Sequence, residues 1–138
     1  MTMREEVLAA LAAALGTSGN PLPRNEADLS VIPSDGLIVL HDGVPGQPEV
    51  TLSPLEYHYR HRAELDVMVI GDDPTGAFDA AVETIGTRLA VDRTLGGLCD
   101  WAEAEAPAPS DVPVEGSQPI RAASIGVVLF YSTPDPLG

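Results

Sequence analysis

Few side chains in this sequence are of a type that does covalent chemistry, and they are thinly spread. The stretch DRTLGGLCDW, residues 92–101, concentrates them: two aspartates, adjacent glycines, the single cysteine and the single tryptophan. Gly96-Gly97 invites comparison with a phosphate loop, in which backbone N–H groups at a helix start cradle an anion. The context is missing. There is no GxxxxGK(S/T) motif and no GxGxxG after a strand, and this pair follows a helical pattern instead of opening one. Two glycines between a helix and a returning strand read as a sharp chain reversal, with Asp92 or Thr94 fixing the helix end and Leu98 and Trp101 packing the returning strand. Cys99 as a nucleophile needs a histidine partner and an activating environment. Neither is legible, so it reads as a small, partly buried packing residue, and Trp101 as a core or interface anchor.

The histidines offer a second possibility. His58, His61 and Glu64 are spaced by three, which on a helix would gather metal ligands on one face. The surrounding pattern is that of a strand, where positions 58 and 61 point to opposite sides. No further His or Cys lies nearby to complete a zinc set, and His41 could join only through the fold. A solvated strand end, with Arg60 and Arg62 meeting a neighbour's acids, accounts for the segment. No GxSxG elbow is present, and Asp72-Asp73 suits helix capping. The expectation is a protein that is not an enzyme, with no catalytic residues, no cofactor and no metal.

The elements that would position these residues follow from periodicity. Residues 2–15 predict an amphipathic helix with Thr2 and Glu5 as a capping box, Leu8, Leu11 and Leu15 on one face, and Gly16, Gly19 and Pro21 as stops. Residues 17–35 predict a flexible loop, with one extended segment near Leu29–Ile32. Gly36–Leu40 is strand-like, His41-Asp-Gly43 and Pro45-Gly46 mark a turn, and Val50–Leu52 starts a strand that Pro54 confines to an edge. YHYRHRAELDVMVI, residues 57–70, is the clearest strand. Ala63, Leu65, Val67 and Val69 face one side, with Arg62, Glu64 and Asp66 on the other. Asp73 caps a second helix over about 75–91, Pro74 opens it, and Phe78, Ala81, Val82, Ile85 and Leu89 form its apolar face. Residues 98–105 favour strand over helix, and 106–119 predict a second flexible loop. Residues 120–132 predict a last strand apolar on both faces, Ile125, Val127 and Leu129 on one and Ile120, Val128 and Phe130 on the other. Such a strand is central and covered on both sides, or covered by a neighbouring subunit. The sum is one α+β domain spanning 1–138: a mainly antiparallel β-sheet with two α-helices packed on one face.

Composition narrows the function classes. The chain has 138 residues, a formal net charge of −14, 21 acidic residues and seven basic ones, all of them arginine. A sequence-independent nucleic-acid binder needs many cationic contacts to phosphates, and this chain lacks them. No apolar run reaches the roughly 20 residues of a membrane helix, and the first residues carry acids where a signal peptide wants basic ones. With a lone cysteine, this predicts a cytoplasmic protein.

The order RAELDVMVIG, AFDAAVETIGTRLAVDRTLGGLCD, IRAASIGVVLFYST resembles the tail terminator (head-tail joining) proteins of long-tailed phages and phage-like gene transfer agents. In that family a strand leads through a short acidic turn to a helix, which closes in a D-x-TLGG turn before a last strand with an aromatic-polar-Thr end. Here those residues are Asp92, Thr94, Gly96 and Gly97, then Tyr131-Ser132-Thr133, and the resemblance covers roughly residues 57–133. It implies a structural particle protein assembled in the bacterial cytoplasm. It further implies a homo-hexameric ring that ends the tail tube, meets the tube protein on one side and a head-side connector or stopper on the other, and lets DNA pass its lumen unbound, with no membrane partner. Arg60, Arg62, Trp101, Val128 and Phe130 are the candidate subunit interface. A stopper, an adaptor or a small acidic binding module is the alternative.

Overall fold

A computed structural model describes residues 1–16, 19–25, 36–109 and 120–138, the Ile120 side chain excepted. The extended segment expected near Leu29–Ile32 and most of the 106–119 loop lie outside the described residues. The chain runs α1 (Met3–Leu15), β1 (Leu37–Val44), β2 (Glu49–Leu52), β3 (Leu55–Ile70), α2 (Pro74–Val91), β4 (Trp101–Ala104), β5 (Ala108–Pro109) and β6 (Ile120–Thr133). The strands form one antiparallel sheet of order β1-β3-β6-β4; β2 extends the sheet beside β3, and β5 does so beside β6. The fold is α+β, two helices on an antiparallel sheet.

The β3–β6 ladder organises the sheet. It pairs every residue from Tyr57 with Thr133 to Ile70 with Ile120. Odd-numbered residues of both strands point to the helices: Ala63, Leu65, Val67 and Val69 meet Ile125, Val127 and Leu129 in one buried cluster. Val7, Leu8, Leu11 and Leu15 of α1 and Phe78, Ile85 and Leu89 of α2 close over it. Each such side chain contributes about 1.5–3 kcal/mol on burial. The second apolar face expected for β6 is only half covered, since Val128 and Phe130 are partly exposed. That places β6 centrally in the sheet but beneath helices on one side only.

Both helix starts are capped. The Thr2 hydroxyl accepts from the Glu5 N–H at 3.2 Å, and the Asp73 carboxylate accepts from the Gly76 N–H at 3.0 Å. The expected capping box is incomplete, because the Glu5 carboxylate turns to Arg24. Arg24 also donates to Asp42 at 2.7 Å, so one guanidinium ties α1 to the 23–25 segment and β1. This pairing lowers the Glu5 carboxyl below its usual range and raises the Arg24 guanidinium, in each case through the Glu5–Arg24 hydrogen bond first.

The turn expected at His41-Asp-Gly43 is instead part of β1. Between His41, opposite Glu64, and Val44, opposite Arg62, β1 carries one more residue than β3, a β-bulge. Gly43 has φ +66°, and a Cβ there would fall 2.0 Å from the Arg62 carbonyl oxygen, so only glycine fits. The reversal falls later, between Val44 and Glu49. The Asp42 carbonyl in the bulge accepts from His61 Nε2–H, which leaves Nδ1 to accept from the Tyr131 hydroxyl at 2.8 Å. His61 is fully buried, and Tyr131 stacks on Tyr59 with ring centroids 5.6 Å apart.

Burial pushes the His61 imidazole below its ordinary value of 6.5, and the nearby Arg4 charge adds to this against the Asp42 carbonyl. The folded state therefore resists a proton that the unfolded chain accepts. Stability is complete above pH ~6.5 and falls as pH drops from there toward the lowered folded-state pKa. Urea unfolding between pH 8 and 5 is expected to show this loss, and His61→Gln is expected to flatten the slope in the same window. An unchanged slope in the variant would assign the titration elsewhere.

Candidate functional site: the closing turn and the helix-free sheet face

The turn after α2 is built on one carboxylate. Asp92 accepts from the Thr94 hydroxyl at 2.6 Å, the Thr94 N–H at 3.0 Å and the Gly96 N–H at 2.8 Å. The Thr94 hydroxyl then accepts from the Gly97 N–H at 3.1 Å. These bonds, the Thr94 hydroxyl first, hold the Asp92 carboxyl below its usual range. Leu95, Gly96 and Gly97 all have positive φ, +52°, +76° and +85°. Leu95 is buried in the core, and its side chain anchors the reversal. The N–H groups of Thr94, Gly96 and Gly97 are thus spent on the turn's own oxygens, which leaves them no role toward a phosphate. Asp100 N–H then bonds to the Phe130 carbonyl at 2.7 Å and starts β4 alongside β6.

Cys99 is buried, with its thiol against the Arg93 carbonyl at 3.6 Å. Burial pushes the thiol up to about 11, with Asp100 adding to the shift, so thiolate is scarce at neutral pH. Leu98 packs against the core as expected. Trp101 does not; it is 46% exposed.

The five expected interface residues are brought together by register. Arg60 stands opposite Phe130 and Arg62 opposite Val128, while Trp101 stands opposite Phe130 from the other side. All lie on the sheet face away from α1 and α2. The Arg60 guanidinium sits 5.3 Å from the Phe130 ring centroid, and Arg93 reaches from the turn to within 5.2 Å of the Trp101 ring. The result is a row of Arg60, Phe130, Trp101 and Arg93, of which sequence reading missed Arg93. No local signal marks it, because Arg93 meets Trp101 only once the turn at Asp92 has reversed the chain. Arg62 pairs within the chain with Glu105 at 2.8 Å. That pair lies over Gly126, where a Cβ would come within 2.2 Å of the Glu105 carboxylate. The ion pair raises the Arg62 guanidinium and lowers the Glu105 carboxyl.

The histidines separate as strand geometry requires. His61 enters the core, while His58 lies on the opposite face within 3.5 Å of Glu56. His41, the remaining candidate ligand, bonds Asp66 at 2.7 Å, and the Ser124 hydroxyl donates to the other oxygen of the same carboxylate at 3.1 Å. This trio escaped sequence reading because its members come from three strands. It is not a hydrolytic triad, in which histidine stands between serine and aspartate to take the hydroxyl proton. Here the aspartate stands between them. Among the described residues, no group of three or more His, Cys, Asp or Glu side chains is placed to hold a metal, and no helix is long and apolar enough to cross a membrane.

A groove of about 510 Å³ opens between the end of α1, residues 20–23, the start of β1 and α2. Leu15, Pro21, Leu22, Ile38 and Ala81 line it, together with Arg88. Arg88 Nη1 donates to the Leu15 and Gly16 carbonyls at 3.0 and 2.9 Å, so it satisfies the last turn of α1.

Replacing Gly96 and Gly97 together by valine is expected to destabilise the fold by about 1–2 kcal/mol per residue, the cost of a side chain in left-handed backbone. An unchanged melting temperature would count against this. Cys99→Ser is expected to keep the fold, and the wild-type thiol is expected to react with maleimide at pH 7 far more slowly than free cysteine; rapid labelling of folded protein would contradict its raised pKa.

No family model matches this chain, and no curated protein matches it.

Proposed function

We propose that the chain is the ring-forming terminator of a phage-type tail. In this reading six copies close into a ring that ends the tail tube, meet a head-side connector on the other surface, and leave a lumen for DNA. The observation that carries the reading is where the family-like segments fall. RAELDVMVIG is the sheet-centre half of β3, AFDAAVETIGTRLAVDRTLGGLCD is α2 with its closing turn, and IRAASIGVVLFYST is β6. These segments touch: β3 and β6 pair along their length, α2 packs on both, and the turn delivers β4 to the free side of β6. The motif order is therefore one packed unit.

Such a subunit needs packing and charge and makes no bond. A ring requires a patch that meets a different patch on the next copy, and the partly exposed Arg60, Phe130, Val128 and Trp101 supply a candidate with aromatic and guanidinium character. These are the residue types that dominate binding energy at interfaces. The charge of −14 per chain fits a lumen that repels phosphates, so that DNA passes without sticking.

Light scattering tests the proposal, on the protein alone and with tail tubes of the same particle. The expected result is a hexamer, or a monomer that becomes a ring on the tube end; a monomer that never joins tubes would overturn it. Arg60→Glu is expected to weaken association by roughly tenfold or more, about 1.4 kcal/mol, while the unfolding midpoint stays nearly unchanged. Equal loss of stability and assembly would assign Arg60 to the fold instead.

A further inference from the structure

The returning chain changes character at Glu105. Before that point its side chains hold it: Ala102 is fully buried in the core, and Ala104 packs against the core. From Glu105 to Pro109 every residue is exposed. Pro107 and Pro109 have no N–H to give to a ladder. What remains of regular pairing is β5, where Ala108 and Pro109 stand opposite Ser124 and Ala123. The segment nonetheless lies along the outer edge of β6, with the Glu105 N–H donating to the Gly126 carbonyl at 2.7 Å. Segments with so little buried surface are the ones that open locally while the rest of a fold stays closed.

Glu105 carries the one polar side chain in this stretch, and it reaches across β6. Arg62 Nε and Nη2 donate to the same Glu105 oxygen at 3.0 and 2.8 Å. The pair crosses directly above Gly126, where a Cβ would fall 2.2 Å from Glu105 Oε1 and 2.5 Å from Arg62 Nη2. Gly126 lies inside β6 and is not among the residues with positive φ. Its backbone therefore does not call for glycine, and glycine inside a strand weakens it and marks a close approach. The ion pair is what approaches. Both side chains are about half exposed, at 50% and 46%, so the pair is open to water and screened by salt. Such a bond biases a short exposed segment and is too weak to hold a sheet.

We infer that residues 105–109 form a strap that opens from β6, with Arg62 and Glu105 as its latch and Gly126 as the seat of that latch. Closed, the strap covers the backbone edge of β6 from Ala123 to Gly126 and neutralises Arg62. Open, it bares that edge and returns Arg62 to the face that carries Arg60 and Arg93, neither of which forms an ion pair among the described residues. The device sets both the edge pairing and the charge of the helix-free face. It operates within a single copy, whether or not that copy enters a ring.

Hydrogen exchange of the Glu105 amide, followed by NMR on the full chain, tests the latch. Arg62→Gln removes the cation. Gly126→Ala fills the seat, and the atoms it displaces are the mobile ends of two side chains. Both variants are expected to speed Glu105 exchange roughly two- to fivefold, the range of an exposed ion pair, while the β3–β6 amides and the unfolding midpoint stay as in the wild type. Raising NaCl from about 0.02 to about 0.5 M is expected to speed the wild type similarly and to leave both variants unchanged. Glu103→Gln removes a carboxylate from β4 without touching the pair, and Glu105 exchange is expected to stay the same. Unchanged exchange in Arg62→Gln would overturn the latch. Equal acceleration of the β3–β6 amides would overturn the strap, because the pair would then be holding the whole sheet. An effect of Glu103→Gln as large as that of Arg62→Gln would assign the change to net charge and overturn the inference as well. Should Gly126→Ala lower the midpoint, Arg62→Gln and the salt series decide alone.

Discussion

The register of β3 against β6 is the constraint on which the rest of the molecule depends. Side chains alternate along a strand, so a slip of one residue would exchange every buried side chain for one on the opposite face. With Leu65 opposite Ile125 and Ala63 opposite Val127, the apolar sets of both strands fall on the same side. Both helices then have a single surface to cover. The same register places Arg60, Arg62, Val128 and Phe130 together on the other side. Core and candidate interface are thus two consequences of one pairing.

Two local devices attach the remaining elements to that ladder. The bulge at Asp42–Gly43 supplies a carbonyl to buried His61 and a carboxylate to Arg24, whose other partner is Glu5 at the start of α1. A buried imidazole with both nitrogens satisfied costs far less than one left unpaired. The Asp92 turn does the same work at the other end. Its carboxylate gathers the Thr94 and Gly96 N–H groups and reverses the chain, so that β4 meets β6 with Trp101 opposite Phe130. A stretch that at first suggests catalysis thereby becomes the turn that sets an exposed tryptophan beside Arg93.

The polar clusters that the fold does assemble are directed toward structure. In the His41–Asp66–Ser124 trio both partners bond the carboxylate, so the serine is not aimed at a base. The Cys99 thiol is buried and its pKa raised. Surface chemistry is better matched to association. The aliphatic residues of the β2–β3 hairpin and Trp101 of β4 are exposed, on a chain of formal net charge −14.

The sequence by itself determined the elements whose signals are local. Thr2 and Asp73 mark helix starts, the alternation from Arg62 to Val69 marks β3 and its buried face, and Gly96-Gly97 marks a reversal, because capping, pleating and positive φ depend on near neighbours in the chain. It could not determine that His41–Gly43 is a bulge within a strand, since a bulge exists only relative to the partner strand it is out of step with. Nor could it foresee that Glu5 would leave its capping box for Arg24, that Arg62 would find Glu105, or that Arg93 would reach Trp101. Those outcomes were decided by the tertiary structure, because charges and rings choose partners by distance in space, and the β3–β6 register and the turn at Asp92 set those distances.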